Sequence, residues 1–439
     1  MKRLFYIILY FISPLLPIFV TILANTEKYK NTNNLISLIF GACAFTWLSF
    51  ELILSSRSKF IEANFGLDKL IRFHALMAVI SLVLVFIHKS YKWENEFGDI
   101  SFNLFILISI ISLIFMVNII SNKIQPLKKL KIFLSKYHIT KYQYQVAIHN
   151  LTVVAVIIMF IHVMFATSTK QSIELQIVYI LYFGGSISFY FYNKVIKRFI
   201  LSKNKLKVVN LTKVSDDITV INLKSETNNI FNFKPGQFGY LKINDKNFSK
   251  EGHPFSIISI PGQSNELNFA IKKLGDYTSK IDTIQINSSA TVDGPYGRLS
   301  YLNYTNERNI VLIAGGIGIT PMIGMLRYMN LYDKSRNVIL IWGVNTKSDI
   351  IFHQEFLDIQ KNMTNFNFVP VVFRDNSYDG EKGRIDNKKL NKIFTNSSID
   401  LSEAGFYICG PSIMIKLVLT SLKSLNVSKK QLHLENFNF

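Results

Sequence analysis

The chain has 439 residues and a formal charge of +20, with long apolar runs confined to roughly the first 195 residues. That length suggests two to three domains, the first membrane-embedded and the rest soluble. The basic excess does not mark a nucleic-acid binder: no basic–aromatic RNA motif or recognition-helix pattern accompanies it, and Lys and Arg gather naturally on the cytoplasmic side of membrane spans. Two cysteines in unlike contexts, Cys43 and Cys409, indicate neither a disulfide framework nor a zinc site.

The apolar run Leu4–Ala24 follows Lys2 and Arg3. It lacks a clear small-x-small cleavage site and another span follows closely, so it reads as a retained helix rather than a signal peptide. Pro14 and Pro17 should kink it. Leu35–Ser55 is a second expected span, LIRFHALMAVISLVLVFIHKS a third and Ser101–Ser121 a fourth; VAIHNLTVVAVIIMFIHVMF is a fifth and Gln176–Tyr192 a sixth. Three regions fall on one side of such a bundle. They carry Arg57, Lys59, Lys69 and Arg72; Lys123, Lys128, Lys129, Lys131, Lys136 and Lys141; and Lys194, Lys197 and Arg198. The positive-inside rule makes that side, and the soluble half after it, cytoplasmic. The expectation is a multi-pass protein of the plasma membrane.

The third and fifth spans hold the chemistry. His74 and His88 have thirteen residues between them, and His149 and His162 have twelve. An ionisable side chain in an apolar span is costly and usually functional, and neutral imidazole is a favoured haem and metal ligand. At about 1.5 Å rise per residue, each pair spans roughly 20 Å of helix axis, one imidazole near each edge of the hydrocarbon core. Two such helices side by side offer two facing His–His pairs: His74 with His149 on the inner side, His88 with His162 on the outer. Four metal ligands of this kind would hold two haems. At about 100° per residue the first pair sits about 40° apart around its helix, but the second sits about 140° apart. Bending of the fifth span, or haems rotated relative to each other, has to absorb that. The alternative is that each histidine is a lone polar residue bonded to a neighbouring carbonyl. Arg72, two residues before His74, is either a partner for a haem propionate or an interfacial anchor.

From Lys205 the pattern changes to short alternating runs, LKVVNL, ITVINLKS and FKPGQFGYLKI, punctuated by Gly, Pro, Asn and Asp. That is the signature of an antiparallel barrel or sandwich. The segment His253-Pro254-Phe255-Ser256 offers an aromatic and a hydroxyl that suit an isoalloxazine ring; a buried strand containing Phe would read the same way. Then NIVLIAGGIGITPMIGMLRYM reads as strand, tight glycine loop and helix, with Thr320 as N-cap and Pro321 in the first turn. Backbone amides exposed by Gly315, Gly316 and Gly318 at a helix start suit a pyrophosphate, although the spacing is not the common G-x-G-x-x-G. NVILIWGV and GFYICGP continue the βα alternation, so a parallel sheet should carry its ligand at the carboxyl ends of its strands.

In this order the chain resembles the NADPH oxidase/ferric reductase family, with its ferredoxin-reductase-like dehydrogenase half. The signals are the two spaced histidine pairs, then PGQF (Pro235–Phe238), HPFS, LGDYT (Leu274–Thr278), DGPYG (Asp293–Gly297), GGIGITP and CGP (Cys409–Pro411). They cover the chain from about residue 35 to its end. The resemblance implies a six-helix transmembrane haem domain (1–200), an antiparallel β-barrel FAD domain (201–305) and a Rossmann-like α/β NAD(P)H domain (306–439). By it, His253, Pro254, Phe255 and Ser256 line the flavin, and Lys272, Gly275 and Thr278 sit near its diphosphate. Gly315, Gly316, Gly318, Thr320 and Pro321 take the dinucleotide, with Cys409, Gly410 and Pro411 near the nicotinamide. In the ending Glu435-Asn436-Phe437-Asn438-Phe439, Phe437 is the expected aromatic cover of the flavin, with Phe439 as runner-up.

The implied activity carries electrons from cytoplasmic NAD(P)H through FAD and two b-type haems to an acceptor outside. Oxygen, giving superoxide, is the first choice; ferric chelates are the second; a haem-free, membrane-anchored flavin reductase is the rival. Many relatives carry Arg after the WGV-like strand end, where this chain has Asn345 with Lys347 close by, so NADPH against NADH stays open. There is no calcium-binding EF-hand, so activity is expected to be constitutive or controlled by another subunit, which nothing in the sequence indicates.

Overall fold

The computed structural model describes residues 2–91, 96–116, 125–126, 129, 133, 142–203, 205–227, 230–248, 251–397 and 399–435. The basic residues Lys123, Lys128, Lys131, Lys136 and Lys141, and both Phe437 and Phe439, lie outside them. The chain forms two compact units, Met1–Ile196 and Lys197–Phe439.

The first unit is helical. Five helices among the described residues are long and apolar enough to cross a membrane: Arg3–Ala24, Thr32–Ser55, Lys69–Tyr91, Tyr144–Phe165 and Ile173–Leu201. The expected fourth span appears as the 21-residue helix Glu96–Met116, which is not one of those five. The first span breaks into Lys2–Ile12 and Leu15–Ala24, as its prolines require. Pro14 has no N–H for the Tyr10 carbonyl and Pro17 none for that of Ser13. Side chains replace both bonds: Ser13 Oγ and Trp47 Nε1 donate to Tyr10 O at 2.7 and 3.2 Å, and Tyr182 Oη donates to Ser13 O at 2.8 Å.

Polarity in this unit is inverted relative to a water-soluble bundle. Thr21, Ser37, Thr46, Ser49, Glu51 and Ser81 are buried, whereas Leu76, Val79, Val83 and Phe86 are exposed. Apolar side chains face outward where the surroundings are hydrocarbon, and polar ones must find partners inside. The interior is closed by Phe45, Leu48, Leu52, Phe105, Ala155, Val156 and Met159.

The second unit holds two six-stranded sheets. In the first, β1 (Leu206–Lys213), β2 (Ile218–Ser225), β3 (Phe238–Ile243), β4 (His253–Ser256), β5 (Glu266–Lys272) and β6 (Ser289–Tyr296) run antiparallel in the order β4-β3-β6-β1-β2-β5. The two end strands are linked where Ile258 N–H, just beyond β4, donates to Asn268 O of β5 at 2.8 Å. Among the described residues the sheet order is open, without the continuous ladder between β4 and β5 that the expected barrel requires.

The second sheet is parallel throughout. Its strands are β7 (Asn309–Gly315), β8 (Asn337–Val344), β9 (Phe366–Val372), β10 (Glu381–Lys382), β11 (Ala404–Cys409) and β12 (Leu432–Glu435), in the order β10-β9-β8-β7-β11-β12. Every residue of β7 and β11 is buried, which explains why both read as continuous apolar runs: helices cover both faces of a parallel sheet. One core joins the sheets, bringing Ile218, Val220, Ile258 and Tyr301 against Met322, Met325 and Met329 of the helix Thr320–Tyr332. Arg327 of that helix bridges the same seam. Its Nε and Nη2 donate to the two carboxylate oxygens of Glu355 at 2.6 and 2.8 Å, and its Nη1 donates to Ile258 O at 2.8 Å.

Candidate functional site

The four histidines come together in the pairing their spacing implies. The rings of His74 and His149 have centroids 6.1 Å apart, and those of His88 and His162 are 6.4 Å apart. Two imidazoles facing one first-row metal ion through nitrogens at about 2.0–2.1 Å have centroids roughly 6 Å apart. The second histidine span reaches this arrangement by breaking: it forms helices Tyr142–Asn150 and Thr152–Phe165, interrupted at Leu151. At the break Leu151 N–H bonds Ile148 O and Val154 N–H bonds Leu151 O, both three residues back, while Thr152 Oγ1 donates to the His149 carbonyl at 2.7 Å. Each residue wound at the 3-10 step of about 120° instead of 100° narrows the angle between His149 and His162 by about 20°.

Behind the rings stand residues that no sequence motif announced. His74 Nδ1 meets Glu51 Oε2, His149 Nδ1 lies 3.1 Å from Ser112 Oγ, and His88 Nδ1 lies 2.7 Å from Ser37 O and 3.0 Å from Ser37 Oγ. A metal-ligating histidine typically donates its second ring N–H to such a carboxylate or carbonyl, which fixes the tautomer and aims the other nitrogen at the metal. Gly41 and Gly98 provide room: a Cβ would sit 2.7 Å from His88 Nδ1 at the first position and 3.0 Å from His162 Nδ1 at the second. Among the described residues no group of three or more His, Cys, Asp or Glu is placed to hold a bare ion. Two ligands per level suit an ion whose remaining ligands come from a macrocycle, so the donor set fits a b-type haem at each level. Arg72 is exposed on the His74 helix.

In the second unit, β4 places His253-Pro254-Phe255-Ser256 on an end strand, with Phe255 opposite Gly239 and Pro254 opposite Tyr240. The His253 ring stacks on Tyr277 at 3.9 Å, and Phe255 lies nearly parallel to the same ring at 6.4 Å. Tyr277, within the LGDYT run, thus organises the HPFS strand; burial pushes its phenol up to about 12, so it stays neutral at physiological pH. Gly275 and Thr278 share one turn, where Thr278 Oγ1 accepts from the Leu274 and Gly275 amides at 2.8 and 3.1 Å. Lys272 is directed elsewhere: its Nζ pairs with Asp217 at 3.0 Å. Burial alone would raise the Asp217 carboxyl, but hydrogen bonds from Lys272 and Ser215 bring it below the ordinary range. Beside this sheet, Lys197 Nζ donates to Asp293 Oδ2 at 2.8 Å and to Tyr296 Oη at 2.7 Å, anchoring the DGPYG segment.

The strand order puts the reversal of the parallel sheet between β7 and β11, and open α/β sheets bind ligands at such a switch point, beyond the carboxyl ends of the strands. The two glycine motifs meet there. A Cβ on Gly318 would lie 2.4 Å from the Cys409 carbonyl oxygen, and one on Gly315 would lie 2.9 Å from Pro411 Cδ. Gly316 has φ +52° and leads a 3-10 turn, Gly316–Ile319, into the helix Thr320–Tyr332. The N-cap expectation at Thr320 fails. Thr320 is the first helical residue; Ile319 occupies the cap position without a side-chain bond, and Thr320 Oγ1 donates back to Ile317 O at 3.0 Å. The 3-10 turn shifts the helix start by one residue, and Pro321 keeps its first-turn place. Cys409 is buried and is followed by Gly410 at φ +158°. β12 runs beside β11 and places Glu435 opposite Cys409 and against Gly297.

A helical unit with an inverted surface, an antiparallel sheet with an aromatic end strand and a parallel sheet with a glycine-lined switch point define a membrane flavoprotein oxidoreductase. Family models agree, in the same order: "ferric reductase like transmembrane component" matches residues 40–160, "FAD-binding domain" residues 201–300 and "oxidoreductase NAD-binding domain" residues 312–420. The chain has the architecture of the NADPH oxidase/ferric reductase family. It is 30% identical over 227 residues to the reductase component of propane 2-monooxygenase from Mycolicibacterium smegmatis, an alignment covering 50% of this chain and 64% of that one. It is 26% identical over 242 residues to a flavohemoprotein of Oceanobacillus iheyensis, covering 53% and 58%. The chain therefore spans less than two thirds of the length of these two relatives. Among solved structures, the Amycolatopsis cytochrome P450 reductase GcoB matches with a TM-score of 0.48 at 20% identity, over 53% of this chain and 69% of that one.

Proposed function

We propose that this chain moves electrons across the plasma membrane, from cytoplasmic NAD(P)H through FAD and two bis-histidine haems to an acceptor on the far side. The observation that carries the reading is the approach of His74 to His149 and of His88 to His162 at the centroid distance that two ligands on one iron need. FAD, when bound, accepts a hydride and releases single electrons, and haem, when bound, carries one electron at a time.

The chain's residues position these groups. The turn Gly315–Gly318 and the helix start at Thr320 and Pro321 hold the dinucleotide diphosphate, and Cys409, Gly410 and Pro411 border the nicotinamide. His253–Ser256 line the flavin, Gly275 and Thr278 face its diphosphate with Lys272 nearby, and Phe437 covers the ring until nicotinamide arrives. Glu51, Ser112 and Ser37 hold the imidazoles in the tautomer that leaves the other ring nitrogen for iron. Six spans, with Glu96–Met116 as the fourth, place the loops bearing Arg57, Lys59 and Lys69 on the cytoplasmic side together with the dehydrogenase half. The domains run 1–200, 201–305 and 306–439.

His74 with His149, and His88 with His162, would each give a haem two imidazole ligands, which would leave the acceptor to take its electron without binding iron. Oxygen, giving superoxide, is the acceptor proposed first; the match to a ferric-reductase-like transmembrane component supports ferric chelates as the second reading. The test is NAD(P)H reduction of the purified protein without oxygen, followed by admission of oxygen or ferric citrate. Appearance of reduced Soret and α bands, then their decay with superoxide-dismutase-sensitive dye reduction, supports the oxidase. Decay with ferric citrate and negligible oxygen uptake moves the assignment to ferric reductase. NAD(P)H oxidation without haem bands leaves an anchored flavin reductase and overturns the wire.

A further inference from the structure

Ile257 and Ile258, the two residues directly after the HPFS strand, are held from two directions. Their amides bond on the side of the antiparallel sheet: Ile257 N–H donates to Gln237 O at 2.9 Å and Ile258 N–H to Asn268 O at 2.8 Å. Their carbonyls meet the helix Thr320–Tyr332, which the glycine turn Gly316–Ile319 leads into. A Cβ on Gly324 would lie 2.8 Å from Ile257 O and 3.6 Å from Gly236 N of the PGQF run. Three residues further on, Arg327 Nη1 donates to Ile258 O at 2.8 Å. Residues three apart share a helix face, so one face of this helix rests on two consecutive carbonyls of the HPFS segment.

Both contacts use residue types chosen against local preference or for a rigid shape. Glycine inside a helix is destabilising relative to alanine, and here the missing Cβ is what lets the helix close on the Ile257 carbonyl. The Arg327 fork is fixed by its other partner: Glu355 accepts from Nε and Nη2 at 2.6 and 2.8 Å, which leaves Nη1 aimed at Ile258 O. Glu355 stands in the first turn of the helix His353–Asn362, which the chain enters through Phe352 at φ +58°. A bulky residue in that left-handed region is strained and persists only where its surroundings fix it. The centre of the Phe352 ring lies 5.5 Å from the Arg327 guanidinium carbon. Lysine, a flexible point charge, lacks the planar fork that serves both partners at once.

We infer that Arg327, oriented by Glu355 and seated by Gly324, is a positioning residue: it fixes the offset between the HPFS strand and the Gly315–Gly318 turn, and with it the reach from nicotinamide to flavin. This rests on the flavin and dinucleotide reading above. Thr320 and Arg327 are about 10 Å apart along the helix axis, so a slide or rotation at Arg327 is carried to the turn. The step served moves one hydride: NAD(P)H becomes NAD(P)+ and the flavin its anionic hydroquinone, with no further proton or co-reactant. Such a transfer needs its reacting atoms about 3–3.5 Å apart, and a misplacement of about 1 Å costs on the order of 100-fold.

The experiment follows flavin bleaching by NAD(P)H in stopped flow, without oxygen, on the full-length protein in detergent. Arg327→Lys should lower the limiting rate constant per bound flavin by about 10- to 100-fold, while the half-saturating NAD(P)H concentration moves less than about threefold. Glu355→Gln should act in the same direction by a smaller factor. Hydrogen exchange with no nucleotide added supplies a second readout. The Ile257 and Ile258 amides should exchange at least about tenfold faster in Arg327→Lys, with the β7 amides unchanged. A limiting rate equal to wild type, a loss confined to half-saturation, or equal acceleration of exchange in β7 overturns the inference. Should Arg327→Lys fail to fold, Glu355→Gln and Gly324→Ala decide the matter: a lowered limiting rate with flavin retained supports it, and two unchanged rates overturn it. A wild-type protein that binds no FAD, or whose flavin NAD(P)H does not reduce, overturns the reading of the site and this inference together.

Discussion

The two halves of this protein build their sites from different parts of the chain. In the membrane unit the candidate site consists of side chains: four imidazoles, three of which are aimed by Glu51, Ser37 and Ser112 from neighbouring helices. In the second unit the glycine-lined switch point is mostly backbone, where Gly315 and Gly318 let two strand ends approach closer than a Cβ permits and Gly316 turns at φ +52°. The difference follows from the surroundings. Helices in hydrocarbon must satisfy their own peptide groups internally, so only side chains are left to bind. A parallel sheet in water ends in loops whose amides are free to meet phosphate.

That contrast can be broken by substitution. The largest effect is expected from His149→Ala. With one axial ligand gone, haem content should fall from two to one per chain while flavin-dependent NAD(P)H–ferricyanide activity persists; retention of both haems would refute the side-chain half of the contrast. Next, Gly318→Ala pushes a methyl group to 2.4 Å from the Cys409 carbonyl oxygen, which is backbone and has no rotamer to yield. NAD(P)H kcat/KM should drop about 10- to 100-fold as the loop shifts, with haem spectra and FAD content unchanged. An unchanged kcat/KM would show that backbone approach at the switch point does not matter.

Gly41→Ala sharpens the comparison, because there the membrane unit also relies on a missing Cβ, 2.7 Å from His88 Nδ1. Here the obstacle is a side chain, so the response should be partial: an altered low-spin signal for the haem at the His88 level and none for the other, read by electron paramagnetic resonance. The smallest effect concerns charge in the soluble half. Hydrogen bonds from Lys273 and Thr219 hold the Asp282 carboxyl below the usual carboxylate range. A depressed folded-state pKa contributes stability above the unfolded value of about 3.9, and that contribution is lost as pH falls through the folded value. Melting curves should therefore separate wild type from Asp282→Asn at neutral pH and converge on acidification; a gap that widens on acidification would reverse the assigned sign.

Much of this was legible in order. The histidine spacing predicted which rings would face each other, and His74–His149 and His88–His162 are the observed pairs. The 140° misfit of the second histidine span called for a bend or for haems rotated relative to each other, and the helix is interrupted at Leu151. The glycine run located a strand–turn–helix at the switch point of the parallel sheet, although a short 3-10 turn displaced Thr320 from the cap, because local capping propensity yields to how the loop packs on Cys409. Lys272 illustrates another limit: a charge near an expected phosphate site is already paired with Asp217, a partner supplied by β2's approach to β5.

By itself, then, the sequence determined what is periodic or contiguous: the apolar spans, the ligand spacing along each helix, the strand alternation and the glycine turns. These depend on local geometry that the chain carries with it. Only the tertiary structure decided that Glu51 stands behind His74 and Ser37 behind His88, that the sheet reverses between β7 and β11, and that Tyr277 stacks on His253. Each of those is a meeting of segments distant in the chain, and the register of one packed element against another is set by side-chain fit across the whole interface, which no local pattern records.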